Sequence, residues 1–172
     1  MTEPVTGTVL IAIDGSHNSI VAAGVGARMA QLLGMRVGLL HVLDVPVLSF
    51  WVGVEARLKD DIHTQAKAML TDISGRLQGL WDVAPMFYII DGEPVDEIEK
   101  VVRANPDIVM IVAGREGVGS EKRTELLRDR VGDRLGAKLA NKLTVPIVLV
   151  PPDISTSLIF ESISDFLANS GV

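Results

Sequence analysis

The sequence predicts an α/β fold, in which a parallel β-sheet is covered by helices on both faces. Short apolar runs rich in β-branched residues alternate along the chain with longer segments whose apolar residues recur at helical spacing. Such runs are typical of strands buried on both faces, as in parallel sheets. The clearest are residues 108–113 and Ile147–Val150, because turn residues bound them. A length of 172 residues favours a single domain.

Strands and helices follow one another in a regular order. The predicted strands are residues 8–13, 37–43, 85–90, 108–113 and 147–150. A helix is expected after each of the first four strands, because apolar residues recur there every three or four positions. Gly34 should end the first helix, and Pro94 suits the first position of the third. The fourth helix is indicated by Leu135, Leu139 and Leu143.

Composition excludes several classes of protein. No segment reaches about 18 apolar residues without a charge, so we expect no membrane association. The first apolar run is interrupted by Asp14, which argues against a secretory signal. The sequence has no cysteine, which excludes disulfides and thiol chemistry. We therefore expect a cytoplasmic protein.

The net charge of −6 is unevenly distributed. Between Gly114 and Lys142 there are eight Lys or Arg and five Asp or Glu residues, so this segment carries +3 and the remainder −9. A basic segment on an acidic protein indicates a local anionic ligand or partner rather than nucleic acid. A solvated loop and helix face would carry the same charges, so both interpretations stay open.

A strand, a glycine loop and a helix follow one another from Asp107 to Lys142. Gly114 and Gly117 come directly after the fourth strand, where the chain turns and can approach a ligand closely. Backbone N–H groups and the helix dipole of such a unit can hold phosphate. The order of apolar strand, Gly-x-x-Gly, basic loop, helix and Val-Pro-Ile-Val-Leu-Val resembles the universal stress protein family.

This resemblance implies both a fold and a site. Members of the family are doubly wound domains, Rossmann-like three-layer sandwiches of the adenine-nucleotide alpha-hydrolase-like type, with five parallel strands in the order 3-2-1-4-5. One branch of the family binds ATP. Ligands of such sheets lie where the strand order reverses, here between the first and fourth strands. The residues that the resemblance places at a bound nucleotide are Ala12, Ile13, Asp14, Val42, Gly114, Gly117 and Gly132.

The second half of the family's phosphate loop is not matched. In the ATP-binding branch a Gly followed by Ser or Thr comes about nine residues after Gly-x-x-Gly, whereas here Gly132 is followed by Asp133. A carboxylate beside a triphosphate is repulsive, by roughly several kcal/mol at close range in a dry site. We therefore expect weak binding of ATP, AMP or another anion, with Mg²⁺ only if ATP binds.

Three polar residues have simpler explanations. Asp14 also suits a turn or a helix cap. His41 is a lone histidine in an apolar strand, which is usually a core residue with satisfied hydrogen bonds. His63 has no second histidine at helical spacing, so no metal site is predicted.

Three functions are compatible with these features. The first is a regulatory homodimer of the stress response that binds an adenine nucleotide or a related anion. The second is an adapter that binds no nucleotide and acts through protein contacts. The third is a nucleotide phosphate hydrolase, but the sequence shows no nucleophile–base pair and no Walker lysine, so no catalytic residue is predicted. The first function is favoured.

The end of the chain bears on assembly. Residues 1–152 are predicted to form the domain, and residues 153–172 an appendage. The appendage should contain a short helix whose apolar face is formed by Ile159, Ile163, Phe166 and Leu167. Such a face should dock on the domain or on a partner subunit. The fifth strand would lie at the sheet edge without a lysine or internal proline to protect it, so we expect a homodimer through Ile147–Val150.

Overall fold

A computed structural model describes residues 7–43, 52–115 and 139–154 of the chain. The elements in chain order are β1 (Thr8–Ala12), α1 (His17–Leu33), β2 (Arg36–Leu43), α2 (Val52–Trp81), β3 (Met86–Asp91), α3 (Pro94–Ala104), β4 (Ile108–Gly114) and β5 (Ile147–Val150). Their ends lie close to the predicted ones. The predicted fourth helix and the C-terminal appendage fall largely outside the described residues.

The five strands form one sheet in the order β3-β2-β1-β4-β5. Every neighbouring pair is parallel. The predicted doubly wound α/β class and the strand order are therefore confirmed. None of the helices in the described part of the chain is long and apolar enough to cross a membrane.

Two apolar cores flank the sheet, because successive side chains of a strand point to opposite faces. Leu39 points into the core formed with α1 and α2, and Leu40 into the core formed with α3. Leu139, from the short helical piece at residues 139–140, completes the second core and is fully buried. Both faces of the sheet are therefore covered, which explains why its strands read as continuous apolar runs.

Helix α1 packs directly on the centre of the sheet. A Cβ atom on Gly26 would lie 2.8 Å from Cδ1 of Ile11, so only glycine allows this approach without a shift. The helix is capped by Ser16, whose side chain accepts a hydrogen bond from Ser19 N–H. It ends at Gly34, whose φ of 65° is left-handed, as the sequence predicted. The start of α1 is thereby held against the carboxyl edge of the sheet.

Candidate functional site

The strand order reverses on either side of β1, which pairs with β2 on one side and β4 on the other. Helix α1, which follows β1, packs in the core on one face of the sheet, whereas Leu139, which follows β4 in the chain, lies in the core on the other face. A crevice is expected at the carboxyl ends of strands where this occurs. Asp14, Val42 and Gly114 all lie at this edge, where the family resemblance placed them.

The turn between β1 and α1 is held by its own polar side chains. Oδ1 of Asp14 accepts a hydrogen bond from Ser16 N–H at 2.9 Å, and Asp14 N–H donates to Oγ of Ser19 at 3.3 Å. Gly15, with φ of 79°, supplies the left-handed conformation that the turn requires. Asp14 is nevertheless exposed. It therefore shapes the turn and also presents its carboxylate at the switch point.

Gly114 brings the end of β4 against the start of α1. A Cβ atom at this position would lie 2.6 Å from the backbone C and O atoms of Asn18. Nδ2 of Asn18 donates to the carbonyl of Arg115 at 3.0 Å, and Arg115 N–H donates to Val150 at 2.8 Å. The glycine is thus required by a close contact within the protein, and the start of the glycine loop is tied to both α1 and β5.

The backbone of Val42 points past the end of β1. Even-numbered residues of β2 face β1, since Arg36 N–H donates to Gly7 and the carbonyl of Leu40 accepts from Ile13 N–H at 2.8 Å. Odd-numbered residues face β3, since the carbonyl of Leu43 accepts from Gly92 N–H. Because backbone groups alternate between the two neighbouring strands, the N–H and C=O of Val42 face β1. The β1–β2 ladder has already ended at the pair Ala12 and Leu40.

His41 was interpreted from the sequence as a core histidine. In the structure it is half-buried, and its Nδ1 lies 2.6 Å from the carbonyl oxygen of Ile13. The hydrogen bond joins residues 28 positions apart, at the switch point itself. Its only sequence signal was a polar residue at the end of an apolar strand.

A second polar cluster ties α2 to the end of β3. Asp91 accepts from Nζ of Lys59 at 2.5 Å through one carboxylate oxygen and contacts Nε2 of His63 at 2.6 Å through the other. The hydrogen bond from Lys59 lowers the pKa of Asp91 below its ordinary value, with His63 acting in the same direction against desolvation. No partner of His63 was predicted from the sequence, because β3 and α2 meet only in the folded chain.

The seven candidate nucleotide contacts divide into three groups. Ala12 and Ile13 are buried, so they can offer a ligand only backbone atoms. Asp14, Val42 and Gly114 lie at the switch point, whereas Gly117 and Gly132 fall outside the described residues. Within residues 7–43, 52–115 and 139–154 no three His, Cys, Asp or Glu side chains form a group that could hold a metal ion.

A cavity of about 310 Å³ lies at the opposite end of the sheet. It is lined by Gln31, Arg36, Trp81, Met86 and neighbouring residues at the C-terminal ends of α1 and α2. Nothing places it near the switch point, so it has no part in the site described above.

The strand order defines a class of fold, the doubly wound α/β domains. A model of the universal stress protein family matches residues 6–151, and the chain belongs to that family. Among curated proteins no significant relative is found.

Solved structures of universal stress proteins have the same fold. UspA from Lactobacillus plantarum is 20% identical with a TM-score of 0.69, over 84% of this chain and 97% of that one. A universal stress protein in complex with cAMP is 17% identical with a TM-score of 0.60, over 86% and 98% of the chains. The Archaeoglobus fulgidus protein in complex with dAMP is 19% identical with a TM-score of 0.58, over 86% and 98%. At these identities the likeness shows the fold.

Proposed function

We propose that this chain is a regulatory protein of the stress response that binds an adenine nucleotide weakly at the switch point between β1 and β4. The observation that carries the proposal is the Val42 backbone, whose N–H and C=O face past the end of β1 between the ends of the neighbouring strands. The N–H donor and C=O acceptor of this one residue match the edge of a base that offers an acceptor beside a donor.

Adenine has such an edge, with a ring-nitrogen acceptor next to an amino donor. Guanine presents the reverse order at the same two positions, because its 6-substituent accepts and its ring N–H donates. The Val42 backbone therefore favours adenine over guanine when the base is held in one orientation. Two solved relatives with the same fold, which hold cAMP and dAMP, support the same class of ligand.

The sugar and phosphate would lie towards Asp14 and Gly114. The carboxylate of Asp14 is exposed at the switch point and suits hydroxyl donors such as those of ribose. The same negative charge, together with Asp133 after Gly132, disfavours a triphosphate. We therefore expect AMP to bind at least as well as ATP, with dissociation constants of about 100 µM, or roughly −5.5 kcal/mol.

The proposed assembly is a homodimer through β5. This strand is at one edge of the sheet, and the side chain of Leu149 is 37% exposed there. An open aliphatic edge favours pairing with a second copy. The absence of cysteine from the sequence agrees with a cytoplasmic location.

Titration calorimetry with AMP, ATP and GTP tests the ligand. The expected result is measurable binding of AMP and ATP and none of GTP. A low-micromolar affinity for ATP with Mg²⁺ would show that Asp133 does not weaken the loop. Equal affinities for AMP and GTP would refute recognition of the base by Val42.

Asp14→Asn provides a matched variant for the sugar contact. Asparagine keeps the oxygen that accepts from Ser16 N–H, so the turn should be preserved. Replacing the carboxylate by a neutral acceptor should weaken AMP binding about fivefold to tenfold, because a hydrogen bond to a charged group is stronger than a neutral one by roughly 1 kcal/mol or a little more. Unchanged AMP affinity would leave Asp14 with its role in the turn alone.

A further inference from the structure

The β1–β2 ladder ends at Ala12 and Leu40, although β2 continues for three more residues to Leu43. Ile13 N–H still donates to the carbonyl of Leu40 at 2.8 Å, as it would in a continuous parallel ladder. The next bond of such a ladder would run from Val42 N–H to the carbonyl of Ile13. That bond is missing, since the register between the two strands ends at Ala12 and Leu40.

The imidazole of His41 occupies the place of this bond. Its Nδ1 lies 2.6 Å from the carbonyl oxygen of Ile13. A carbonyl oxygen can only accept, so Nδ1 must carry the hydrogen. The hydrogen bond therefore exists both in the neutral ring with the proton on Nδ1 and in the protonated ring. His41 satisfies the last carbonyl of the first strand and leaves Val42 N–H without that acceptor.

We propose that His41 is a positioning residue, which caps the Ile13 carbonyl so that Val42 N–H stays available to the edge of a bound base. This inference rests on the proposed function for its ligand, but the state of the Val42 amide is independent of any ligand. Without the imidazole, the partly buried Ile13 carbonyl would lack a donor, and the nearest backbone donor in register is Val42 N–H. The ladder would then extend by one hydrogen bond, and Val42 N–H would no longer be available to a bound base.

Two variants test whether the N–H donor to the Ile13 carbonyl matters, rather than the imidazole ring as a whole. His41→Leu removes the donor and retains apolar bulk, whereas His41→Asn keeps an N–H donor near the position of Nδ1. We expect His41→Leu to weaken AMP binding about tenfold, as the loss of one hydrogen bond would. We expect His41→Asn to restore most of this loss. Ribose 5-phosphate, which has no base, should bind all three proteins equally.

Amide hydrogen exchange measured by NMR without ligand gives the second readout. In the unmodified protein Val42 N–H should exchange much faster than Leu40 N–H, which lies inside the ladder. In His41→Leu the Val42 amide should become protected, and in His41→Asn it should stay fast. A nitrogen-detected spectrum of the imidazole should show the proton on Nδ1.

Each outcome decides between the two hypotheses. A Val42 amide as protected as that of Leu40 in the unmodified protein overturns the role of His41, whatever binds. A loss in His41→Leu that is equal for AMP and ribose 5-phosphate, or that His41→Asn does not reverse, also overturns it. If the Val42 amide exchanges fast but the protein binds no adenine nucleotide, the proposed function is refuted. The role of His41 in capping the Ile13 carbonyl would still stand.

Discussion

Replacing Gly114 by alanine should loosen the contact between β4 and the start of α1. The new Cβ would lie 2.6 Å from backbone atoms of Asn18, about 0.8 Å inside the 3.4 Å at which ordinary contact begins. Backbone atoms at the first turn of a capped helix cannot rotate away as a side chain would. Overpacking of this kind destabilises proteins by about 1–3 kcal/mol. For a domain of this size, about 2 kcal/mol lowers the melting temperature by roughly 4–8 °C.

Gly75→Ala is the matched control for the same substitution. Gly75 is exposed within α2, and a Cβ atom there would meet nothing within 4 Å. Alanine is the better helix former by about 1 kcal/mol, so this variant should melt higher than the unmodified protein. Thermal unfolding followed by circular dichroism measures both changes. The two variants should therefore move the melting temperature in opposite directions.

The Gly114 variant also tests how rigid the switch point is. Its hydrogen exchange should increase first at the backbone amide of Arg115, which donates to Val150, because the displaced end of β4 would strain this bond together with the one from Nδ2 of Asn18 to the Arg115 carbonyl. Melting within 1 °C of the unmodified protein, with unchanged exchange at the Arg115 amide, would refute the reasoning. The end of β4 would then have room to retreat, and Gly114 would be there for a ligand rather than for packing.

Three further predictions concern charge, assembly and the phosphate loop. Asp91→Asn should destabilise the protein by about 0.5–1 kcal/mol at neutral pH. Because the folded-state pKa of Asp91 is lowered, its contribution is present above the unfolded value and is lost as the pH falls below about 4. In urea titrations the variant should therefore have a lower free energy of unfolding than the unmodified protein at pH 7, and the two free energies should be nearly equal at pH 3. A difference of the same size at both pH values would contradict the ion pair. Leu149→Lys should convert a dimer into a monomer of 18.5 kDa by light scattering, whereas an unmodified protein of that mass would refute the dimer. Asp133→Ser combined with a shortened 118–131 loop should raise ATP affinity; no gain in calorimetry would mean that another feature limits binding.

Most of the fold was predicted from local patterns, because the pattern that indicates a strand or a helix lies within the residues of that element. The apolar run of β5 identified Ile147–Val150 with its observed bounds, since Pro146 and Pro151 limit the strand on both sides. Gly34 marked the end of α1 because a left-handed residue is needed there. The first strand was predicted one residue too long. Ile13 is as apolar as the strand before it, but its carbonyl contacts the imidazole of His41 beyond the end of the ladder.

The site was predicted only in part, and the division has a physical cause. The resemblance placed Asp14, Val42 and Gly114 at one edge, and the observed strand order brings them there. The partners of these residues were not predicted. Asn18 meets Arg115 across 97 positions of the chain, a contact that no periodicity of three, four or two residues can show.

By itself the sequence determined the elements, their order and the class of fold, because spacing, turn residues and capping act within a few positions of the chain. The tertiary structure decided which backbone groups remain outside the ladder and which side chains complete it. In the structure β1 pairs with β2 only as far as Ala12 and Leu40, and the next carbonyl, that of Ile13, contacts the imidazole of His41. Contacts of this kind exist only when the strands lie side by side.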